Sequence, residues 1–293
     1  MTDSNKIKIS VSIIIVNYNT RELVRRALDA LYYSSILPEQ IIIVDNNSSD
    51  GSAEMIKKEF SEVALIESKE NLGFAKANNL AIRKFANQTY VWLLNSDTET
   101  GKNSLKELFD FMEGNKKVGA IEPSLVYPNG GWQSVGGYFP SARNVFLYLF
   151  PFSYFLPLNI KRKIKALGLY PQPIPDSGLE LDYVTGAAMF LRKKTLDEVG
   201  LLGEDYFMYF EETDLCWRMK KAGWKVVAIN TDPVMHVYGG SFKTKYDRKR
   251  LKLFLESLMI FVRKNYKGIK KYIILLEVLS LGRLSIALKS FKR

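Results

Sequence analysis

Apolar positions in the first hundred residues come as short β-branched runs separated by stretches of helical period. "VSIIIV" (Val11–Val16) is the first run, and "TRELVRRALDALYYSS" after it repeats apolar residues at steps of three and four. "QIIIVD" (Gln40–Asp45), "VALIE" and "TYVWLLNSD" read as three further strands, with "SAEMIKKEF" and "AKANNLAIRKFA" as the helices between them. Strands this apolar are covered on both faces, and strict alternation with helices predicts right-handed βαβ units around a parallel sheet. The fold class is therefore α/β. Beyond this half, "VTGAAMFLRK" and "WKVVAI" predict more strands, and Gly223 ends a helix just before the second.

The loops after these strands are polar and acidic: "NYNT" (Asn17–Thr20), "DNNSSDGS" (Asp45–Ser52) and "NSDTE" (Asn95–Glu99). In an open α/β sheet such strand ends line the ligand crevice, which makes the first hundred residues a nucleotide-binding half. Neither G-x-G-x-x-G nor G-x-x-x-x-G-K-[ST] is present, so a dinucleotide fold and a P-loop are both excluded. Each loop alone is equally an ordinary turn, since Asp, Asn, Ser and Gly all favour turns. Their joint placement at strand ends is the feature that points to a nucleotide site.

At 293 residues and 47% hydrophobic, the chain can bury a sizeable core. A single cysteine, Cys216, excludes an internal disulfide and fits a reducing compartment, and "MTDSNKIKIS" lacks a signal peptide's apolar stretch, so a cytoplasmic protein is expected. The formal charge of +11 is uneven: Lys243–Arg293 holds 15 Lys/Arg and 3 Asp/Glu, a net of +12, leaving −1 for the rest. The basic residues interleave with apolar ones. Leu251, Phe254, Leu255, Leu258, Phe261 and Val262 form a helical stripe, and "YIILLEVLSLGRLSIAL" is too short and too interrupted to span a bilayer. This tail, residues 243–293, is expected to lie on an anionic membrane; the alternative is a helical pair packed on the main domain, residues 1–242. No nucleic-acid module is recognisable.

Taken in order, "VSIIIVNYN", "IIIVDNNSSDGS", "NLGFAKANNLAI", "LLNSDTE", "VTGAAMFLRK", "YFEETDLCWRMKKAGW" and "HVYGGS" resemble the family-2 inverting glycosyltransferases of GT-A fold, and among them the rhamnosyltransferase-like enzymes. The resemblance runs from about Val11 to Ser241. It implies a mostly parallel central sheet, to which the residues after 242 add the basic helical tail. It also implies a nucleotide-diphospho-sugar donor, a glycan or lipid-linked acceptor in bacterial surface polysaccharide synthesis, and Mg²⁺ or Mn²⁺ as cofactor. Val16 and Tyr18 would hold the base, Asp45 the base or ribose, and Gly73, Asn95 and Ser96 would face the nucleotide. Asp97 would bind the metal, with Asn95 replacing the first Asp of the family's metal motif, and His236, the only histidine, would complete it. Gly186, Ala187 and Glu211 would border the donor sugar and acceptor.

Inverting transfer needs one carboxylate to take the acceptor proton. In "EETD", Asp214 can pair with Arg218 one turn on, and Glu211 lies a turn before Asp214. Glu212 points elsewhere and matches the family's catalytic base, a position commonly Asp. An acidic first helical turn is also simply favoured by the helix dipole. The apolar run Val145–Leu158 reads either as a helical subdomain or as a membrane-facing lip. A sugar-nucleotide nucleotidyltransferase and a non-catalytic binding module are the competing functions.

Overall fold

The computed structural model describes residues 6–149, 174–237 and 248–288. The N-terminal half alternates as expected: β1 (Lys8–Asn17), α1 (Arg21–Tyr33), β2 (Leu37–Asp45), α2 (Ser52–Glu59), β3 (Ala64–Glu67), α3 (Gly73–Phe85) and β4 (Tyr90–Asn95). Then come β5 (Thr98–Glu99), α4 (Ser104–Gly114), β6 (Val118–Glu122), β7 (Leu125–Val126), β8 (Gly136–Gly137) and α5 (Ala142–Leu149). From residue 174 on, the chain forms β9 (Leu179–Glu180), β10 (Tyr183–Val184), β11 (Ala188–Arg192), α6 (Lys193–Val199), α7 (Glu211–Lys221), β12 (Lys225–Ala228) and β13 (Val234–His236). Two helices close the described chain, α8 (Arg248–Asn265) and α9 (Gly268–Leu288).

The main sheet has eight described strands in the order β3-β2-β1-β4-β11-β6-β12-β9. β1 pairs in parallel with both β2 and β4, which buries Ile13, Ile14 and Ile15 completely; α1 covers the sheet with Val24, Ala27, Leu28 and Leu31 at helical spacing. Register sets the chemistry. Asn17 pairs with Asp45 and Val16 with Asn95, so three polar strand ends come level along one rim. β11 runs antiparallel between β4 and β6, so it begins where they end, and Ala188 stands opposite Leu94. That reversal brings the turn before β11 to the same rim, together with Glu122 at the end of β6. Two open clefts of about 360 and 250 Å³ lie along Thr89 with Arg192 and along Lys117 with Trp224. Both sit at the opposite, starting end of β4 and β6.

A second small sheet, β5-β13-β7, pairs His236 with Thr98. A second apolar core joins α5, α8 and α9 to Tyr206 and Phe210. Its composition corrects one expectation. Leu251, Leu255, Leu258, Phe261 and Val262, the stripe assigned to a membrane surface, are buried in this core, with Phe254 partly buried beside them. Of the run Val145–Leu158, Val145 and Leu149 are buried in the same core, and the residues from 150 on lie outside the described ones, as does the expected boundary at 242/243.

Candidate active site

The three polar strand ends form one hydrogen-bonded chain. Ser96 Oγ meets Thr20 Oγ1 at 2.8 Å, Thr20 Oγ1 donates to Asn17 Oδ1 at 2.7 Å, and Asn17 Nδ2 donates to Asp45 Oδ1 at 2.9 Å. Ser48 N donates to Asp45 Oδ2 at 3.0 Å. Asp45 is thus a buried carboxylate with a partner on each oxygen, and its remaining lone pairs are left for a ribose or base. Val16 is half-buried and Tyr18 exposed at the same strand end. Ser96 is buried and turned toward Thr20, which gives its hydroxyl a structural partner. Gly73 is also buried. Its φ of +76° and a built Cβ only 2.8 Å from Phe207 O show that glycine is needed where α3 meets the loop 203–210. Its nearest neighbour is protein, and Asn46 fastens the spot by accepting from Leu72 N and donating to Gly73 O.

His236 is oriented by Gln133, a residue that no sequence motif marks. Gln133 Nε2 donates to Val126 O at 3.2 Å and to His236 O, so its Oε1 is the atom that faces His236 Nδ1 at 3.0 Å. Nδ1 therefore carries a hydrogen, and Nε2 lies 3.2 Å from Asp97 Oδ1 and 3.4 Å from Asn95 Nδ2. Two acceptors that close are held together by a proton or by a cation. Both side chains are buried, and Val237 N bonding Asp97 O fixes the approach. A carboxylate and an imidazole suit a hard or borderline divalent cation that takes its other ligands from phosphate and water; Asn95 turns Nδ2, a hydrogen-bond donor, toward the imidazole. Among the described residues no cluster of three or more His, Cys, Asp or Glu offers a fuller cage.

The turn before β11 reaches this pair through its backbone, because Asn95 N donates to Ala187 O at 2.9 Å. Ala187 is buried, and the aromatic ring that approaches Gly186 is Phe74, 3.3 Å from a built Cβ. Behind the turn stands Glu122, which accepts from Thr185 Oγ1 at 2.7 Å and Ala188 N at 3.2 Å. It is fully buried, its Oε2 has no partner, and burial pushes its proton affinity well above the carboxylate range, with the negative charge of Glu212 adding to the rise. In the primary structure Glu122 shows only as the end of an apolar strand.

Glu211 and Glu212 open α7. Burial raises both; the Glu212 charge raises Glu211 further, and Glu212 is pushed up to about 7. A helix N-terminus favours an anion by only about 0.3–1 kcal/mol, which burial here outweighs. Glu212 keeps part of its surface exposed, whereas Glu211 is buried with Oε2 lacking a partner. Asp214 pairs with Arg218 at 3.0 Å, as the spacing predicts, and Arg218 also ties α7 to Val199 O and Leu201 O. In the aromatic run before α7, Tyr206 and Phe210 are buried and Phe207 is half exposed.

The turn into α7 is strained: Tyr209 and Phe210 hold φ of 70° and 69°. Such residues cost of order 1–3 kcal/mol each and persist only where the surroundings over-determine them. α8 supplies that. Ser257 Oγ donates to Met208 O at 2.8 Å, Phe254 and Phe261 pack their rings on Phe210 at 5.2 and 5.6 Å, and Asn265 Nδ2 donates to Asp214 Oδ1 at 3.0 Å. The turn into α7 is thus held from the C-terminal tail.

Residues 12–172, more than half of the chain, match the family described as glycosyl transferase family 2. The chain belongs to that family. It is 26% identical over 242 residues to the N-acetylglucosaminyl-diphospho-decaprenol L-rhamnosyltransferase of Mycobacterium tuberculosis, covering 76% of this chain and 75% of that one. Among solved structures it resembles a mannosyltransferase from Pyrobaculum calidifontis in complex with GDP-Man and Mn²⁺, with a TM-score of 0.59 at 16% identity over 98% of this chain and 76% of the other. GalNAc-T7 with UDP, GalNAc and Mn²⁺ gives a TM-score of 0.59 at 14% identity, over 89% and 48% of the two chains. These likenesses show the GT-A fold. The protein is a glycosyltransferase, and the nucleotidyltransferase reading falls with that assignment.

Proposed function

We propose that this glycosyltransferase moves a sugar, rhamnosyl by the name of its mycobacterial relative, from a nucleotide-diphosphate donor to a hydroxyl of a glycan or lipid-linked acceptor, with inversion. The relative's diphospho-decaprenol acceptor supports bacterial surface polysaccharide synthesis as the setting and the inner face of the cell membrane, in the cytoplasm, as the place. The observation that carries the chemistry is the Asp97–His236 contact of 3.2 Å with Nδ1 facing Gln133, because it brings a carboxylate and an imidazole together at the end of β4. Asp97 and His236 would hold Mg²⁺ or Mn²⁺ there, and Mn²⁺ in two neighbouring structures supports the choice. When bound, such a cation neutralises charge on the departing diphosphate.

The remaining steps are the work of the chain's own residues. Tyr18 and Val16 border the base, and the Asp45 network holds three strand ends in register so that base, ribose and diphosphate run along one rim. The Gly186–Ala187 turn, backed by Glu122, sets the floor under the sugar. Glu212, raised toward neutrality, takes the acceptor hydroxyl's proton as the oxygen attacks the anomeric carbon opposite the diphosphate; the new C–O bond forms as the bond to phosphate breaks, and its electron pair leaves with the nucleotide. No covalent enzyme intermediate is required. Incubation of the protein with a panel of nucleotide sugars, with and without Mg²⁺ or Mn²⁺, tests the reading: slow metal-dependent release of nucleoside diphosphate from one donor is expected, and inertness to every donor in both metals overturns it.

A further inference from the structure

α9 carries apolar residues on every side, yet only one of its faces is covered. Ile274, Val278 and Ser285 are buried, with Ser285 bonding Leu149 O of α5 at 2.9 Å, and α9 packs along α5 and α8. On the opposite face Ile269, Tyr272 and Leu276 are 79%, 68% and 67% exposed, and Ile273, Leu279 and Leu284 are exposed too. At 100° per residue these six positions sweep an arc of roughly 140° along about 22 Å of helix. A helix that is apolar all round is normally enclosed, so an uncovered face of this length marks a docking surface. No described helix is long and apolar enough to cross a membrane, so α9 lies along whatever it meets.

Charge names the occupant. From residue 263 to 288 the chain carries Arg263, Lys264, Lys267, Lys270, Lys271 and Arg283 against Glu277 alone. Arg283 sits within the exposed arc, and exposed Lys267 and Lys270 flank its start. A second copy docked face to face would bring like charges together. An anionic bilayer surface accepts both features, apolar side chains entering the headgroup layer and cations meeting phosphates, with Tyr272 at the depth that amphipathic rings favour. We propose that the exposed face of α9 is a membrane-contact surface for anionic lipid. The apolar stripe of α8 takes no part, being spent on the second core. This surface lies outside the transfer site and stands or falls separately from the proposed reaction.

The full-length protein is co-sedimented with phosphatidylcholine vesicles, with and without phosphatidylglycerol, across a salt series. Binding to the anionic vesicles that weakens as salt rises is expected. Leu276→Glu should reduce it by about tenfold or more. Lys267→Ala should reduce it by about fivefold, on anionic vesicles only. Both positions are exposed, so melting temperature and nucleotide binding should match wild type; should Leu276→Glu melt early, Leu276→Gln replaces it with a smaller loss expected. Wild-type protein left in the supernatant, or sedimentation equal for wild type and both variants, overturns the proposal. So does a wild-type dimer in light scattering that Leu276→Glu converts to monomer, which assigns the face to a second copy.

Discussion

The rim of polar strand ends and the turn into α7 are built on opposite terms. Along the rim, Asp45 is buried but has a donor on each carboxylate oxygen, and the chain from Ser96 through Thr20 and Asn17 leads into it. At the turn, Glu211 leaves a buried carboxyl oxygen without a partner, as Glu122 does behind the turn before β11, Glu212 is pushed up to about 7, and two aromatic residues sit in the left-handed region. The rim is satisfied and therefore a rigid template; the turn is a store of raised proton affinity and backbone strain held by packing from elsewhere. The proposed donor binding asks for the first and the proposed proton transfer for the second.

The sharpest break in that comparison is Glu212→Gln. Transfer should fall by roughly 10²–10⁴-fold, typical of a lost general base, while the dissociation constant for the donor nucleotide stays near wild type. Unchanged turnover would move the base to another residue. In the wild type, transfer should rise with pH through about 7 as Glu212 ionises. Stability moves the other way. A carboxyl whose folded pKa is raised holds its proton longer folded than unfolded, so stability falls as pH rises from the ordinary carboxyl value toward the folded one. Glu212→Gln should flatten that fall between about pH 4.5 and 7, read from melting temperatures.

Next in size is the pair at the rim's far end. Asp97→Ala or His236→Ala should raise the Mn²⁺ concentration needed for half-maximal activity, and Gln133→Leu, which frees the imidazole to turn, should weaken metal affinity by roughly 10–100-fold. A metal titration unaffected by His236→Ala would return that histidine to packing. Glu122 separates the two regions more finely. Glu122→Gln keeps an acceptor for Thr185 and Ala188 and should retain transfer, whereas Glu122→Ala leaves a buried N–H and hydroxyl unpaired at about 1–3 kcal/mol and should lower turnover more than donor affinity. Equal activity in the two variants would reduce Glu122 to a bystander.

The smallest expected effect tests the remote support of the turn. Ser257→Ala removes one hydrogen bond to Met208 O, about 1 kcal/mol, and should lower the melting temperature by about 2–4 °C. Turnover should drop while the donor dissociation constant holds; a loss of stability with kcat intact would make α8 a structural strut only.

The N-terminal strands and helices were legible because each signal is local. An apolar run followed by a helical period specifies β1, α1 and β2 whatever lies elsewhere, and "NYNT", "DNNSSDGS" and "NSDTE" stand at strand ends by chain order alone. The i, i+4 step that pairs Asp214 with Arg218 is local too. Gln133 and Glu122 were not legible: each acts through partners 103 and 63 or more residues away, and nothing in its own neighbourhood marks it. The tail shows the same limit most plainly. Sequence by itself determined that α8 and α9 are helices with apolar faces among basic residues. Only tertiary structure decided that α8 turns its stripe to Tyr206 and Phe210 while α9 leaves one of its faces open, because periodicity says that a face is apolar and contact geometry alone says what covers it.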